Sequence, residues 1–130
     1  MTSFSLDLAK FGQKAIDNSE KVVRKIGFDM HSRIVQRMPV DTGRAKANQQ
    51  ISLNNLPTGS VIDFDKSGNA TIRKGDAALA KFKLGDAIFL YNNVEYIIPL
   101  EFHQHSKQAP NGMFRISFEE IVQHLGAKAI

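Results

Sequence analysis

One apolar stripe limits what this chain can fold into more than any other feature. Phe11, Ala15, Ser19, Val22, Ile26, Met30 and Ile34 recur every three or four residues, with Val23, Gly27 and Val35 beside them. That is the period of an amphipathic helix. The opposite face carries Lys10, Lys14, Asp17, Lys21, Arg24, Lys25, Arg33 and Arg37. Ser3 or Ser5 supplies an N-cap. Met38-Pro39 ends the helix, because the residue before proline is pushed out of the α region. The stripe runs for roughly eight or nine turns, longer than one small sheet can cover. Either part of it packs on another subunit, or the helix breaks near Gly12, where glycine costs about 1 kcal/mol relative to alanine.

After the helix comes Val40-Asp41-Thr42-Gly43-Arg44. Asp41 is placed to accept downstream backbone amides in an Asx-type turn, and Gly43 supplies a free φ. Ala45–Leu53 alternates weakly and reads as a strand. Asn54–Ser60 is turn chemistry, Val61–Phe64 a second short strand, and Asn69–Arg73 a strand or an extended loop. Asp76–Phe82 suits a short helix with Asp76 as its N-cap and Gly85 past its end. Ile88–Tyr91 and Val94–Glu101 are apolar runs flanking Asn92-Asn93, a β-hairpin pattern. His103–Gly112 is a polar loop. Met113, Phe114, Phe118, Ile121, Val122 and Leu125 then mark a helix from about Met113 to Leu125, stopped by Gly126. With no repeat and no linker, residues 1–130 form a single domain. The expected fold class is α+β, a long N-terminal helix and a C-terminal helix packed on a small, mostly antiparallel sheet.

Composition removes several function classes. There is no cysteine, hence no disulfide, thiol catalysis or cysteine-ligated metal. No signal-peptide core and no run of membrane-spanning length is present, so the expectation is a soluble protein made in the cytoplasm. The net charge of +4 favours acidic partners only mildly. Glu101, His103 and His105 alternate and would share one face of a continued strand, a possible metal set for a small metal-dependent enzyme. Nothing else at ligand spacing joins them, and a polar loop is the simpler reading. Ser106 beside His105 and Lys107 has no nucleophile-elbow glycines, and the glycines form no phosphate loop. The expectation is therefore no enzyme, no metal and no cofactor. The basic helix face, with Arg44, Lys46, Arg73, Lys74, Lys81 and Lys83, offers a surface for duplex DNA, which makes a DNA-binding protein the alternative reading.

Two stretches carry a resemblance. MPVDTGRAKAN (Met38–Asn48) resembles the P-V-D-T-G segment that follows the first helix in the head–tail connector, or tail-completion, proteins of long-tailed bacteriophages. YNNVEYIIPLEFHQHSKQAPNGMFRISFEE (Tyr91–Glu120) resembles the later segment of that family, with its Y-N, L-E-aromatic and Q-A-P-x-G-M elements. The family includes the lambdoid minor tail protein Z. The order of the segments agrees as well, over most of the chain except Asn55–Leu84. His103 stands where the family often has glycine.

The resemblance implies a structural virion protein, made in the bacterial host cytoplasm and located in the virion neck. It would form a homo-oligomeric ring, hexamer or dodecamer, between portal or connector proteins and the tail terminator or tail tube. It would complete the tail, permit head–tail joining and leave a channel for double-stranded genomic DNA, with no membrane partner. Asp41, Thr42, Gly43, Arg44, Ser106, Lys107, Gln108 and Pro110 are the expected interface residues. Lys107 and Gln108 are expected to reach outward, with Phe102 and Met113 anchoring the loop. Arg24, Arg33, Arg37 and Lys107 are the candidates for facing the DNA channel.

Overall fold

The computed structural model describes Thr2–His103 and Ser106–Ala129, with side chains described for residues 17–103 and 106–125. Helix α1 spans Thr2–Arg37 without interruption at Gly12. A short helix α2 (Arg44–Ala47) and strand β1 (Gln50–Leu53) follow, then α3 (Asn69–Leu79), strand β2 (Ile88–Tyr91), α4 (Ile97–Phe102) and α5 (Phe114–Ala129). The class is α+β, with a long N-terminal helix and a small antiparallel sheet. Ile51 faces Leu90 and Leu53 faces Ile88 in the two-stranded ladder. Helix α3 lies against β1, and α1 lies against α3 and α5.

The core gathers where these elements meet. Ile34, Met38, Ala45, Val94, Leu100, Ala109 and Met113 form one buried cluster. They come from the end of α1 and the residue after it, from α2 and α4, and from the loops before α4 and α5, so residues 38–48 and 91–120 build one shared centre. A second buried seam joins α1 to α3: Gly27 faces Leu79, and Gly75 faces His31 so closely that a Cβ there would overlap the imidazole ring.

Several local expectations are corrected. The Ala45–Leu53 strand is two elements: Ala, Lys and Arg favour the helical turn α2, and only Gln50–Leu53 is extended. Val61–Phe64 is not a strand. The Val61 backbone is paired, but by the Asn48 carboxamide, which accepts from Val61 N at 2.7 Å and donates to Val61 O at 3.0 Å. Asn69–Arg73 is helical, and α3 begins there rather than at Asp76. Its cap comes from upstream: Asp65 accepts from Gly68 N, Thr71 N and the Thr71 hydroxyl at 2.8–3.1 Å.

The hairpin Ile88–Glu101 does not form. β2 pairs with the distant β1, and Val94–Glu101 turns into α4. Pro99 accounts for this. It stands in the first turn of α4, where its missing N–H belongs to the groups a helix leaves unbonded anyway, whereas inside a strand it would remove a ladder bond. Finally, α5 continues through Gly126 to Ala129. A single glycine costs about 1 kcal/mol, too little by itself to end a helix.

Candidate functional site

The turn after α1 and the loop before α5 lie side by side. Gly43 anchors the turn. Its φ is +89°, a region that side chains disfavour, and a Cβ there would lie 2.7 Å from Lys66 N and 2.8 Å from Asp65 N. The Gly43 carbonyl accepts from Ala47 N and Asp65 N, each at 3.0 Å. The side-chain bond inside the turn is made by Thr42, whose hydroxyl accepts from Arg44 N at 3.3 Å. The bond expected of Asp41 is not made: the residue is exposed and accepts no backbone hydrogen bond among the described residues.

The loop is fixed from both ends. At its C-terminal end Glu101, only 5% exposed, accepts from Met113 N at 2.9 Å, Phe114 N at 2.8 Å and Arg115 N at 3.2 Å. Glu101 thus caps α5 from twelve or more residues upstream. Arg115 returns the contact through Nε at 2.9 Å and lays its guanidinium over the Phe102 ring at 4.6 Å. Burial alone would push the Glu101 carboxyl up, but the amides of Phe114 and Met113 and the Arg115 side chain hold it below its ordinary value. Gly112, at φ +82°, leaves room for that carboxylate.

In the middle of the loop Ser106 Oγ accepts from Gln108 N at 3.1 Å, and Ala109 is buried. Gln108 does not reach outward as expected. Its Oε1 accepts from Val40 N at 2.9 Å and its Nε2 donates to Val40 O at 3.2 Å. Met113 anchors the loop as expected, whereas Phe102 is 52% exposed.

Between turn and loop lies a groove of about 490 Å³, with Tyr96 and Leu100 among its walls and Asp41, Arg44, Lys107 and Gln108 among its polar lining. Seven of the eight residues expected at an interface line it; Pro110 faces the other side of the loop. Arg44 bonds Glu95 at 3.0 Å and sits 5.9 Å from the centre of the Tyr96 ring. Lys107 is exposed, with no bonded partner among the described residues.

The remaining candidates are dispersed. Arg33 and Arg37 both bond Glu120 of α5, Arg37 with two parallel bonds of 2.6 Å and Arg33 with one of 2.8 Å. Arg24 reaches Glu20 and the Phe82 carbonyl, each at 3.4 Å. These three candidates for facing a DNA channel thus each bond a partner within the chain. Glu101 and His103 do not share a strand face, since Glu101 is on α4, and His105 lies outside the described residues. Among the described residues no three His, Asp or Glu side chains converge on a common point.

Sequence reasoning missed the residues that join the two segments. Asn92 is buried, donates to Ala45 O at 2.9 Å and accepts from Val94 N at 3.2 Å. Asn48 is fully buried. The available signal was the density of carboxamides, Asn48, Gln49, Gln50, Asn92 and Asn93, inside otherwise apolar runs. Such groups are buried only when bonded.

Comparison with family models, with curated proteins and with solved structures returns no match for this chain. Among the described residues no helix is long and apolar enough to cross a membrane.

Proposed function

We propose that this chain is a structural, non-enzymatic virion protein of a tailed bacteriophage. Its place is the neck, as a ring between the portal or connector and the tail tube, where it completes the tail and lets filled heads join. One observation carries the reading. The two segments that resemble the tail-completion family, about fifty residues apart in sequence, fold into one unit, and the positions that carry the resemblance hold that unit together. Gly43 makes the turn, Asn92 ties the second segment to Ala45, Glu101 caps α5, Gln108 grips Val40, and Met113 fills the core. A motif spent on shape rather than on exposed reactive groups suits a scaffold protein.

The groove beside this unit is the proposed contact for a portal-side or tail-side partner, with Lys107 and Arg44 as its cationic edge. The DNA-binding alternative gains nothing here, since Arg24, Arg33 and Arg37 are engaged within the chain.

The test is genetic and visual. A phage lacking this chain should yield DNA-filled heads and separate tails, and a tagged copy should be found at the neck of mature particles by cryo-electron microscopy. Joined, infectious particles at normal yield without the chain would refute the reading.

A further inference from the structure

One continuous apolar face of this molecule is left open to solvent. On α5, Phe114, Phe118, Val122 and Leu125 follow at intervals of four, four and three residues and share one side of the helix. Phe118 is 60% exposed, and Val122 and Leu125 are exposed as well. The face continues onto α4, where Ile98 and Phe102 are exposed beside an apolar cleft of about 240 Å³ that Phe114 also lines. The exposed parts of Ile98, Phe102, Phe118, Val122 and Leu125 come to on the order of 500 Å². An apolar patch of that size marks an interaction site.

The chain's own packing uses a different side of α5. Arg33 and Arg37 of α1 bond Glu120, and Arg37 also bonds Ser117. At 100° per residue, that contact lies about 120° round the helix from the apolar seam. No other part of the described chain offers a seam to match. The remaining exposed large apolar residues are Val22 on α1, Leu56, Ile62 and Phe64 between β1 and α3, and Leu84 between α3 and β2. They are spread over three segments, whereas the α4–α5 face is continuous. Among the described residues, the surface that equals this face in length and apolar area is the same face on a second copy.

We infer that two copies of the free chain pair through this face, with their α5 helices antiparallel about a two-fold axis between Phe118 and Val122. The spacing of the seam lets side chains of one helix enter the gaps of the other. Phe118 of each copy then packs on Val122 of the other. Leu125 lies about 17 Å along α5 from Phe114, so the antiparallel arrangement brings it over the other copy's cleft, beside Ile98 and Phe114. Each copy also covers the polar surface that flanks the seam, Arg115 and Glu119 included. The area buried approaches the roughly 800 Å² per partner of a standard interface. A two-fold contact uses the same patch on both sides and closes after two copies. Neighbours within one ring meet through two different surfaces. The pairing therefore concerns the chain before it enters a particle, and it does not rest on the neck reading.

The chain has no cysteine, so introduced thiols are the only ones. Ile98→Cys and Leu125→Cys are combined on one chain and oxidised. Within one chain the two sites stand too far apart along α5 to bond, since a disulfide needs Cα atoms within about 7 Å. The expected result is a dimer closed by links between copies, with no larger species. A ladder of larger species would overturn the inference in favour of a head-to-tail contact. A product that stays monomeric would overturn it outright. In sedimentation velocity the unmodified chain should pass from monomer to dimer as its concentration rises, and stop there. Phe118→Lys combined with Val122→Lys, both at exposed positions, should hold it monomeric over the same range with an unchanged circular-dichroism spectrum. A parent chain that is monomeric at every concentration, assembly beyond the dimer, or a dimer that survives both lysines also refutes the pairing.

Discussion

The carboxamide of Gln108 bonds both the amide and the carbonyl of Val40, at 2.9 and 3.2 Å, across sixty-eight residues of sequence. It stands where a neighbouring strand would stand, offering one acceptor and one donor to one residue's backbone. Asn48 does the same for Val61, and Asn54 pairs with Ala87 through its own amide and its side-chain oxygen. Among the described residues the sheet has two strands, so extended segments outside it need partners from side chains. Three carboxamides supply them.

Replacing Gln108 should therefore loosen the turn more than the fold. Gln108→Ala removes two partly exposed bonds, each worth about 0.5–1.5 kcal/mol. Gln108→Glu keeps the acceptor but sets a carboxylate oxygen against the Val40 carbonyl. Both variants should remain folded, with faster hydrogen exchange at Val40 N. Under the proposed function both should also lower the yield of joined particles. An unchanged exchange rate at Val40 would show that the pairing does not hold in solution.

Glu101 should matter far more. Its carboxylate satisfies three amides at the start of α5 in a buried setting. Glu101→Ala should cost about 2–4 kcal/mol, the range for stranding buried donors that faced a charge. Glu101→Gln should recover part of it, since one oxygen remains. The folded-state pKa lies below the ordinary 4.5, so the stabilisation is present above that value and is lost as pH falls through the lower folded value. Thermal melts of the two variants at pH 7 and pH 4 check this. The difference from the parent protein should shrink at the lower pH.

How far the sequence could be read follows from the range of the forces involved. The helices α1 and α5 were legible, because their apolar periods are local and repeated. Gly43 was legible, because only glycine relieves that turn. The partner of β2 was not: pairing with β1 spans some forty residues, and nothing in Ile88–Tyr91 names the strand it will meet. Pro99 was visible and should have argued against a strand at Val94–Glu101. At the candidate site the sequence marks the turn and the loop, but not that Asp41 leaves the turn's bond to Thr42, that Gln108 turns inward to Val40, or that Glu101 caps α5. Spacing alone does not tell a carboxylate that caps a helix from one that binds a metal. That depends on whether amides or water stand in front of it.

The α1–α5 junction should respond to acid at lower pH than an ordinary carboxylate. Arg37 and Arg33 hold the Glu120 carboxyl down to about 2. Since its folded pKa lies below 4.5, the contribution is in place above 4.5 and fades between about 4.5 and 2. The pair is partly exposed, with Glu120 at 33% and Arg37 at 32% of side-chain area, so solvent screens it and the expected effect is about 1 kcal/mol. Glu120→Gln should lower the melting temperature by a few degrees at pH 7 and by little at pH 2.5. Moderate salt should reduce the gap at pH 7.

His31 sets the behaviour between those acids and neutrality. It is fully buried between α1 and α3, with Nε2 3.2 Å from the Thr71 carbonyl. A carbonyl only accepts, so Nε2 carries the proton, and Nδ1 is the bare nitrogen, buried with no partner among the described residues. Burial lowers the pKa below 6.5, against the opposing pull of the Thr71 carbonyl. Below pH 6.5 the unfolded chain takes up a proton that the folded chain refuses, so stability falls as pH drops through 6.5 toward the lower folded value. One such group gives at most about 1.4 kcal/mol per pH unit. The lowered carboxylates, Glu101 and Glu120 included, titrate below 4.5, which leaves the interval from about 6.5 to 5 to histidine. His31→Gln keeps a donor for Thr71 but cannot titrate. Chemical denaturation at a series of pH values should show stability declining over that interval in the parent protein and a flatter profile in the variant. Equal slopes in the two proteins would mean that His31 is not the group responsible.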